Sequence, residues 1–164
     1  MEKITHQGKI IEVVQKEVEY NKKTQIFEFA RRSPGTRLII PKGDKILISK
    51  EHRHEVGGYD YRLPGGKVYD SLEEYNKALE LNVDISESAK KAAIKEAREE
   101  VGIEVKDISF FHKSICGATV VWDLFYFIVN DFNQLSQELE EGEDITIEEI
   151  ERSKVIEMCL NGTI

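Results

Sequence analysis

The segment from Glu87 to Gly102 constrains this chain more than any other. Ala89, Ala92, Ala93, Ala97 and Val101 support a helix from about Glu87 to Val101, and glycine stands at 102, where a helix end favours it. Strand-like runs flank this helix on both sides. Ile10–Tyr20 interleaves Val and Ile with Glu and Lys, Asn21-Lys22-Lys23 supplies a turn, and Thr24–Arg31 alternates as a second strand. Ser33-Pro34-Gly35 breaks the pattern, and Thr36–Ile40 with Lys45–Lys50 reads as a hairpin around Pro41-Lys42-Gly43-Asp44. His52–Leu63 reads as loop plus a short strand. Ser71-Leu72-Glu73-Glu74 has the form of a capping box, and Leu72, Tyr75 and Leu79 extend it into a short helix, Leu72–Leu81. Strands at Glu104–Phe111, Ala118–Asn130 and Ile145–Ile150 follow the central helix, and a helix at Glu151–Leu160 ends the chain. Strands on both sides of one helix predict an α/β layer fold with a mixed sheet. Residues 1–35 read as a small N-terminal antiparallel subdomain, and 36–164 as the main domain.

Charge narrows the partners. Acidic residues number 31 against 23 basic ones, a formal charge of −8. Counterion-release binding to duplex nucleic acid needs clustered Lys and Arg, so nucleic acid is not the expected partner. A phosphate-bearing ligand would need bound cations or a local basic patch to reverse the sign. Cys116 and Cys159 lie far apart with no CxxC, which predicts free thiols and a reducing compartment. The first thirty residues hold no uninterrupted apolar stretch, and Thr119–Val129 contains Asp123 and is too short to span a bilayer. A cytoplasmic protein without a membrane partner is expected.

The chemistry sits on the central helix. Glu96 and Glu100 are i,i+4, and Glu96 and Glu99 are i,i+3, so the three carboxylates project from one side. Like charges at these spacings destabilise a bare helix by about 0.2–0.5 kcal/mol per pair. They also lie toward the C-terminal end, where the macrodipole disfavours anions. A divalent cation would turn the repulsion into ligation, and Mg²⁺ accepts such hard oxygen donors. The plainer alternative is a solvated face balanced by Arg98, Lys90 and Lys91.

Glu87, seven residues on, Lys95-Glu96-Ala97-Arg98-Glu99-Glu100-Val101-Gly102-Ile103 resembles the Nudix hydrolase box, and Gly65-Gly66 after Leu63-Pro64 resembles the glycine pair that precedes it. The preceding strands, the Arg53 region and Glu140-Glu141-Gly142-Glu143-Asp144-Ile145 are similar to the ADP-ribose pyrophosphatase branch, so the resemblance covers most of the chain. It implies an α/β/α sandwich and a Mg²⁺-dependent hydrolase, with Mn²⁺ as an alternative cation. The implied substrate is ADP-ribose or a related nucleoside diphosphate sugar, cut at the diphosphate. Two departures stand out. Twenty residues, Lys67–Ser86, separate Gly66 from Glu87 where the family has five, and this insertion is expected to bulge at the site mouth. Lys95 stands where the box has arginine, keeping the charge and losing the planar bidentate fork.

Carried over residue by residue, the resemblance implies that Glu96, Glu99, Glu100 and the Gly65 carbonyl hold metal, with Glu99 and Glu100 at the chemistry. Glu87 and Lys95 are expected to orient them; first-turn dipole compensation explains Glu87 equally well. Glu141 is implied as general base and Glu143 as a further metal contact, against the simple reading of Glu138–Asp144 as a solvated acidic run. Arg53 and Arg37 are candidate phosphate contacts, as are Arg31 and Arg32. Phe27 and Phe29, on one strand face, are candidates to stack on the base from a partner subunit, with packing as the alternative; Tyr59 and Tyr61 are further options. His52 and His54 at i,i+2 lack a third zinc ligand. Trp122 reads as core. The family's proline associated with ADP-ribose preference has no counterpart in Ser114-Ile115-Cys116-Gly117. A homodimer through residues 1–35 is expected, since two strands with an apolar face do not stand alone. Rival functions are a nucleoside triphosphate pyrophosphohydrolase and a non-catalytic module that binds a nucleotide sugar.

Overall fold

The computed structural model describes residues 2–53 and 57–164. Strands β1 (Glu2–Gln7), β2 (Glu12–Tyr20) and β3 (Lys23–Arg31) form an antiparallel sheet at the N-terminus. β2 and β3 are joined through Asn21-Lys22, both at positive φ (50° and 61°), the backbone handedness that follows the twist of paired strands. The sequence pattern does not mark β1, because its residues are all exposed and carry no apolar alternation; pairing to β2 makes it a strand. The two-residue β9 (Val120–Val121) adds in parallel to β3 and leads toward β10 (Asp123–Gln134), tying this sheet to the main body.

In the main body β4 (Gly35–Ile39), β10 and β8 (Ile103–Ile115) make a mixed sheet in the order β4-β10-β8, with β4 parallel and β8 antiparallel to β10. β11 (Ile145–Glu151), β6 (Lys45–Arg53) and β5 (Pro41–Lys42) make an antiparallel sheet, and β7 (Gly58–Arg62) forms a hairpin with β6. The expected hairpin of 36–40 with 45–50 is therefore corrected. Only β5 turns back on β6, while β4 takes the distant Leu124–Ile128 as its ladder partner. That run offers Phe125 and Phe127 to the same core as Leu38, a burial no local turn can match. Ile40 O still accepts the Leu47 N–H at 3.1 Å, where the chain crosses between sheets.

Helix α2 (Ile85–Glu96) begins two residues before the expected start, because Asp84 is its N-cap and accepts the N–H groups of Ser86 and Glu87. Ala89, Ala93 and Ala97, all fully buried, face Leu38, Phe125, Phe127 and Val129 in the central core. α3 (Arg152–Leu160) covers β11 and β6, and no described helix is long and apolar enough to cross a membrane.

In the insertion, helix α1 (Leu72–Glu80) is capped by Ser71 as the sequence predicts, and Asn76 ties it to the N-terminal sheet. Asn76 Nδ2 donates to Glu12 Oε2 at 2.9 Å, and the fully buried Glu12 also accepts Arg31 Nε at 2.6 Å. Arg31 Nη1 reaches on to Glu2 at 2.9 Å. Such a buried charge is tolerable only because each partner is bonded. Trp122 is likewise corrected: it falls in the break between β9 and β10, half-buried instead of core.

Candidate active site

The last turn of the central helix, Ala97–Val101, widens to a π turn in which Gly102 N–H reaches back to Ala97 O. Such turns recur at functional sites because they re-aim side chains without ending the helix. Ala97 and Val101 stay buried beneath, and Glu96 and Glu100 face a cleft of about 330 Å³ above. Two glycines let the chain pass under these acids. A Cβ on Gly66 would collide with the Glu96 carboxylate. Gly65, at φ 135°, donates its N–H to Glu100 Oε2 at 2.9 Å. Burial, and next the Glu100 charge, push the Glu96 carboxyl up to about 7. Glu100 is also raised by burial, opposed by its bond from Gly65. Glu99, which also lines the cleft, pairs with Lys95 Nζ at 3.1 Å.

A cationic wall stands opposite. On β6 the period-two face carries Ser49, Glu51 and Arg53 into the cleft, and β7 adds Arg62, the ladder partner of Ser49. Arg53 donates to Glu51 at 2.6 Å and lies at ion-pair distance, 3.2 Å, from Asp60; Arg62 also pairs with Asp60. Arg37, from β4, donates Nη1 to the carbonyls of Thr36 and Gly65, both at 2.8 Å. Burial lowers the pKa of Arg37, and the Glu100 and Glu96 carboxylates oppose it. Arg62 is lowered by burial and then by its neighbours Arg53 and Arg37, so the wall is crowded with like charge and suited to an anionic ligand.

The loop after β10 docks on the end of the helix. Leu135 N–H bonds Gly102 O at 2.7 Å, and Glu138 N–H bonds Glu99 O at 2.9 Å. Gln137 Nε2 donates to Glu100 O at 2.5 Å and Ile145 O at 3.2 Å. Arg98 Nη1 donates to Ser136 O at 2.7 Å and its Nη2 pairs with Glu138. The bonds to Glu99 O and Glu100 O satisfy carbonyls that a helix end leaves without partners. They bring Glu140 and Glu143 to the cleft.

Of the residues singled out in the sequence, the cleft gathers Arg37, Arg53, Gly65, Lys95, Glu96, Glu99, Glu100 and Glu143. Glu141 is exposed and outside the lining, as are Phe27 and Glu87, and Phe29 is half-buried away from it on β3. Lys95 pairs with Glu99, whereas Glu87 sits in the first turn of α2. His54 lies outside the described residues. The sequence reading missed Ser49, Glu51 and Arg62; the alternation of Ser49, Glu51 and Arg53 was the available signal. Asp70 and Lys67, from the stem of the insertion, line the cleft as well.

Residues 31–158 match the NUDIX domain family. The chain belongs to that family. Two curated relatives, NAD-capped RNA hydrolase NudC of Pseudomonas aeruginosa strain LESB58 and of strain PAO1, are each 27% identical over 85 residues. The match spans 52% of this chain and 24% of each relative. A crystal structure of an ADP compounds hydrolase superposes with a TM-score of 0.71 at 17% identity, covering 99% of this chain and 82% of that one. That likeness is one of fold, the α/β Nudix architecture.

Nudix hydrolases in general use divalent cations, and the donor set here suits one in chemistry. Glu96, Glu99 and Glu100 are hard oxygen donors of the kind Mg²⁺ prefers, and the raised Glu96 carboxyl marks a place where positive charge is wanted. Among the described residues, no three His, Cys, Asp or Glu side chains converge as a ready-made cage. Glu99 pairs with Lys95, and Glu100 accepts the Gly65 N–H.

Proposed function

We propose that this Nudix enzyme is a Mg²⁺-dependent pyrophosphohydrolase that cleaves the diphosphate of ADP-ribose or a related nucleoside diphosphate sugar. The observation that carries the reading is one cleft with the Glu96/Glu99/Glu100 carboxylates on one side and Arg37, Arg53 and Arg62 on the other. A diphosphate needs both, since its oxygens carry charge that arginine binds and cations neutralise. In the reaction water adds to one phosphorus, the bridging P–O bond breaks, and two phosphate monoesters leave; ADP-ribose would give AMP and ribose 5-phosphate. A bound divalent cation would supply charge neutralisation and an activated water. Glu96, Glu99, Glu100 and the Gly65 carbonyl would hold it, with Glu143 as a further contact. Arg37 and Arg53 bind phosphate oxygens, and Lys95 orients Glu99. The loop acids that line the cleft are Glu140 and Glu143, so the proton-accepting role expected of Glu141 passes to one of them.

The names of the similar proteins support an adenosine diphosphate unit in the substrate, because both ADP compounds and NAD contain one. We place the enzyme in the cytoplasm as a homodimer built on the N-terminal sheet. A panel of ADP-ribose, other nucleoside diphosphate sugars, dinucleoside polyphosphates and nucleoside triphosphates, assayed with and without Mg²⁺, tests the substrate class. Selective Mg²⁺-dependent release of two monoesters from a diphosphate sugar is expected, and Glu100→Gln should lower that rate by about 100-fold or more. Pyrophosphate release from triphosphates alone would overturn the substrate class. Ligand binding without turnover would overturn the catalytic reading.

A further inference from the structure

The cleft lining is mostly charged, and its larger apolar side chains are Pro34, Trp122, Leu124 and Ile145. Pro34, Trp122 and Leu124 form an apolar shelf at one end, and Trp122 is the one aromatic side chain among the described lining residues. Gly35 lies under the shelf: a Cβ there would stand 2.7 Å from Leu124 Cδ2, 3.8 Å from Trp122 Nε1 and 3.3 Å from Gly66 O. Gly66 in turn abuts Glu96. The shelf is therefore separated from the carboxylate centre by two glycines.

Arg32 stacks on the indole, its Cζ 4.3 Å from the ring centroid. Among the described residues its side chain makes no hydrogen bond or ion pair, whereas Arg37, Arg53 and Arg62 in the same cleft are all bonded. The indole N–H likewise has no acceptor among the described residues. An arginine seated over a tryptophan ring offers a π surface together with unused donors. Bases stack on such surfaces, on aromatic rings and on guanidinium planes alike.

We propose that the Trp122–Arg32 pair is the nucleobase subsite of this cleft, taking the planar base of a nucleoside diphosphate by stacking. The proposal rests on the diphosphate reading above and adds where the base lies. The phosphates have the arginine wall and the sugar has the polar lining, so the shelf is the surface left for an apolar plane. It places the stacking aromatic on this chain's own cleft, not on Phe27 or Phe29 of a partner's β3.

Trp122 is the only tryptophan, so emission excited at wavelengths beyond tyrosine absorption reports on it alone. The full-length protein is titrated with AMP and, separately, with ribose 5-phosphate, both with Mg²⁺. Both are phosphate monoesters with no diphosphate to cleave, and AMP alone carries a base. Saturable quenching by AMP with no change from ribose 5-phosphate is the expected result. An equal response to ribose 5-phosphate would overturn the subsite and make Arg32 a phosphate contact. AMP binding by calorimetry without a change in emission would overturn it too, as would absence of AMP binding. For turnover of a diphosphate substrate, Trp122→Ala should raise KM about tenfold or more with kcat within about threefold. Trp122→Phe keeps a stacking ring and should hold KM within about threefold; equal loss in both variants counts against stacking. Quenching by AMP in a protein that hydrolyses nothing would leave the subsite standing and remove the hydrolase reading.

Discussion

Glu96 carries the cost of the site at the scale of one residue. Its carboxyl is pushed up to about 7 by burial first and by Glu100 second. A carboxyl whose folded pKa lies above its unfolded value near 4.5 contributes its stability at low pH and loses it as pH rises toward 7. The metal-free protein should therefore melt at a lower temperature at pH 8 than at pH 5. Glu96→Gln keeps the shape against Gly66 and removes the charge. It is expected to raise Tm at pH 8 by about 2–4 °C, the equivalent of about 1 kcal/mol in a domain this size, and to change little at pH 5. Scanning calorimetry in chelator at the two pH values checks this; an equal shift at both would assign the effect to packing. Lys95 shows the complementary logic. Among the described residues its ammonium pairs with Glu99 alone, at 3.1 Å, a single contact where a guanidinium fork offers two.

At the scale of elements, the π turn and the acidic loop work as a pair. Glu138–Asp144 holds five acids in seven residues and faces a helix end with three more, so electrostatics alone would drive them apart. Gln137 counters this by bonding one amide nitrogen to the Glu100 carbonyl and to Ile145 at the start of β11. Arg98 adds a second tie through Ser136 and Glu138. Gln137→Met preserves length and removes the donor. We expect kcat to fall about tenfold with KM little changed, and cleavage by a Glu-specific protease within 138–144 to quicken. Unchanged kcat with unchanged proteolysis would show that the loop needs no such tie. The glycine at 102 belongs to the same device: at φ 69° a Cβ there would strike Ser136 and Gln137.

Across the whole molecule, the N-terminal sheet is anchored at one end and bare at the other. On one face of β2 and β3, Glu12, Val14 and Arg31 are buried. Further along the same face Val18 and Phe27 are 40% and 49% exposed, and Ile4 on β1, opposite Val14, is 41% exposed. A second copy covering this surface would bury apolar area that a lone three-stranded edge leaves in water. Sedimentation at micromolar concentration should show a dimer, and Phe27→Glu should shift it to monomer with the secondary structure intact. A monomeric wild type would remove the dimer reading and leave the cleft as described.

Much of this was legible in the chain itself. The alanine face of α2, the Gly102 stop and the Glu96/Glu99/Glu100 spacing are local patterns, set by 3.6-residue periodicity and backbone sterics, and they suffice for the α/β class and the Nudix family. The glycine pair was legible for the same reason. What needed tertiary structure was every decision made between segments distant in sequence. β4 chose β10 over its neighbour β6 because the larger apolar surface lay far along the chain. The insertion helix turned to Glu12 because a buried carboxylate needs donors, and Asn76 supplies one. Trp122 left the core for the cleft because Arg32, ninety positions earlier, offers it a plane to stack on. Short-range patterns specify which residues share a face; only packing specifies what that face meets, since burial and desolvation depend on neighbours that sequence spacing does not name.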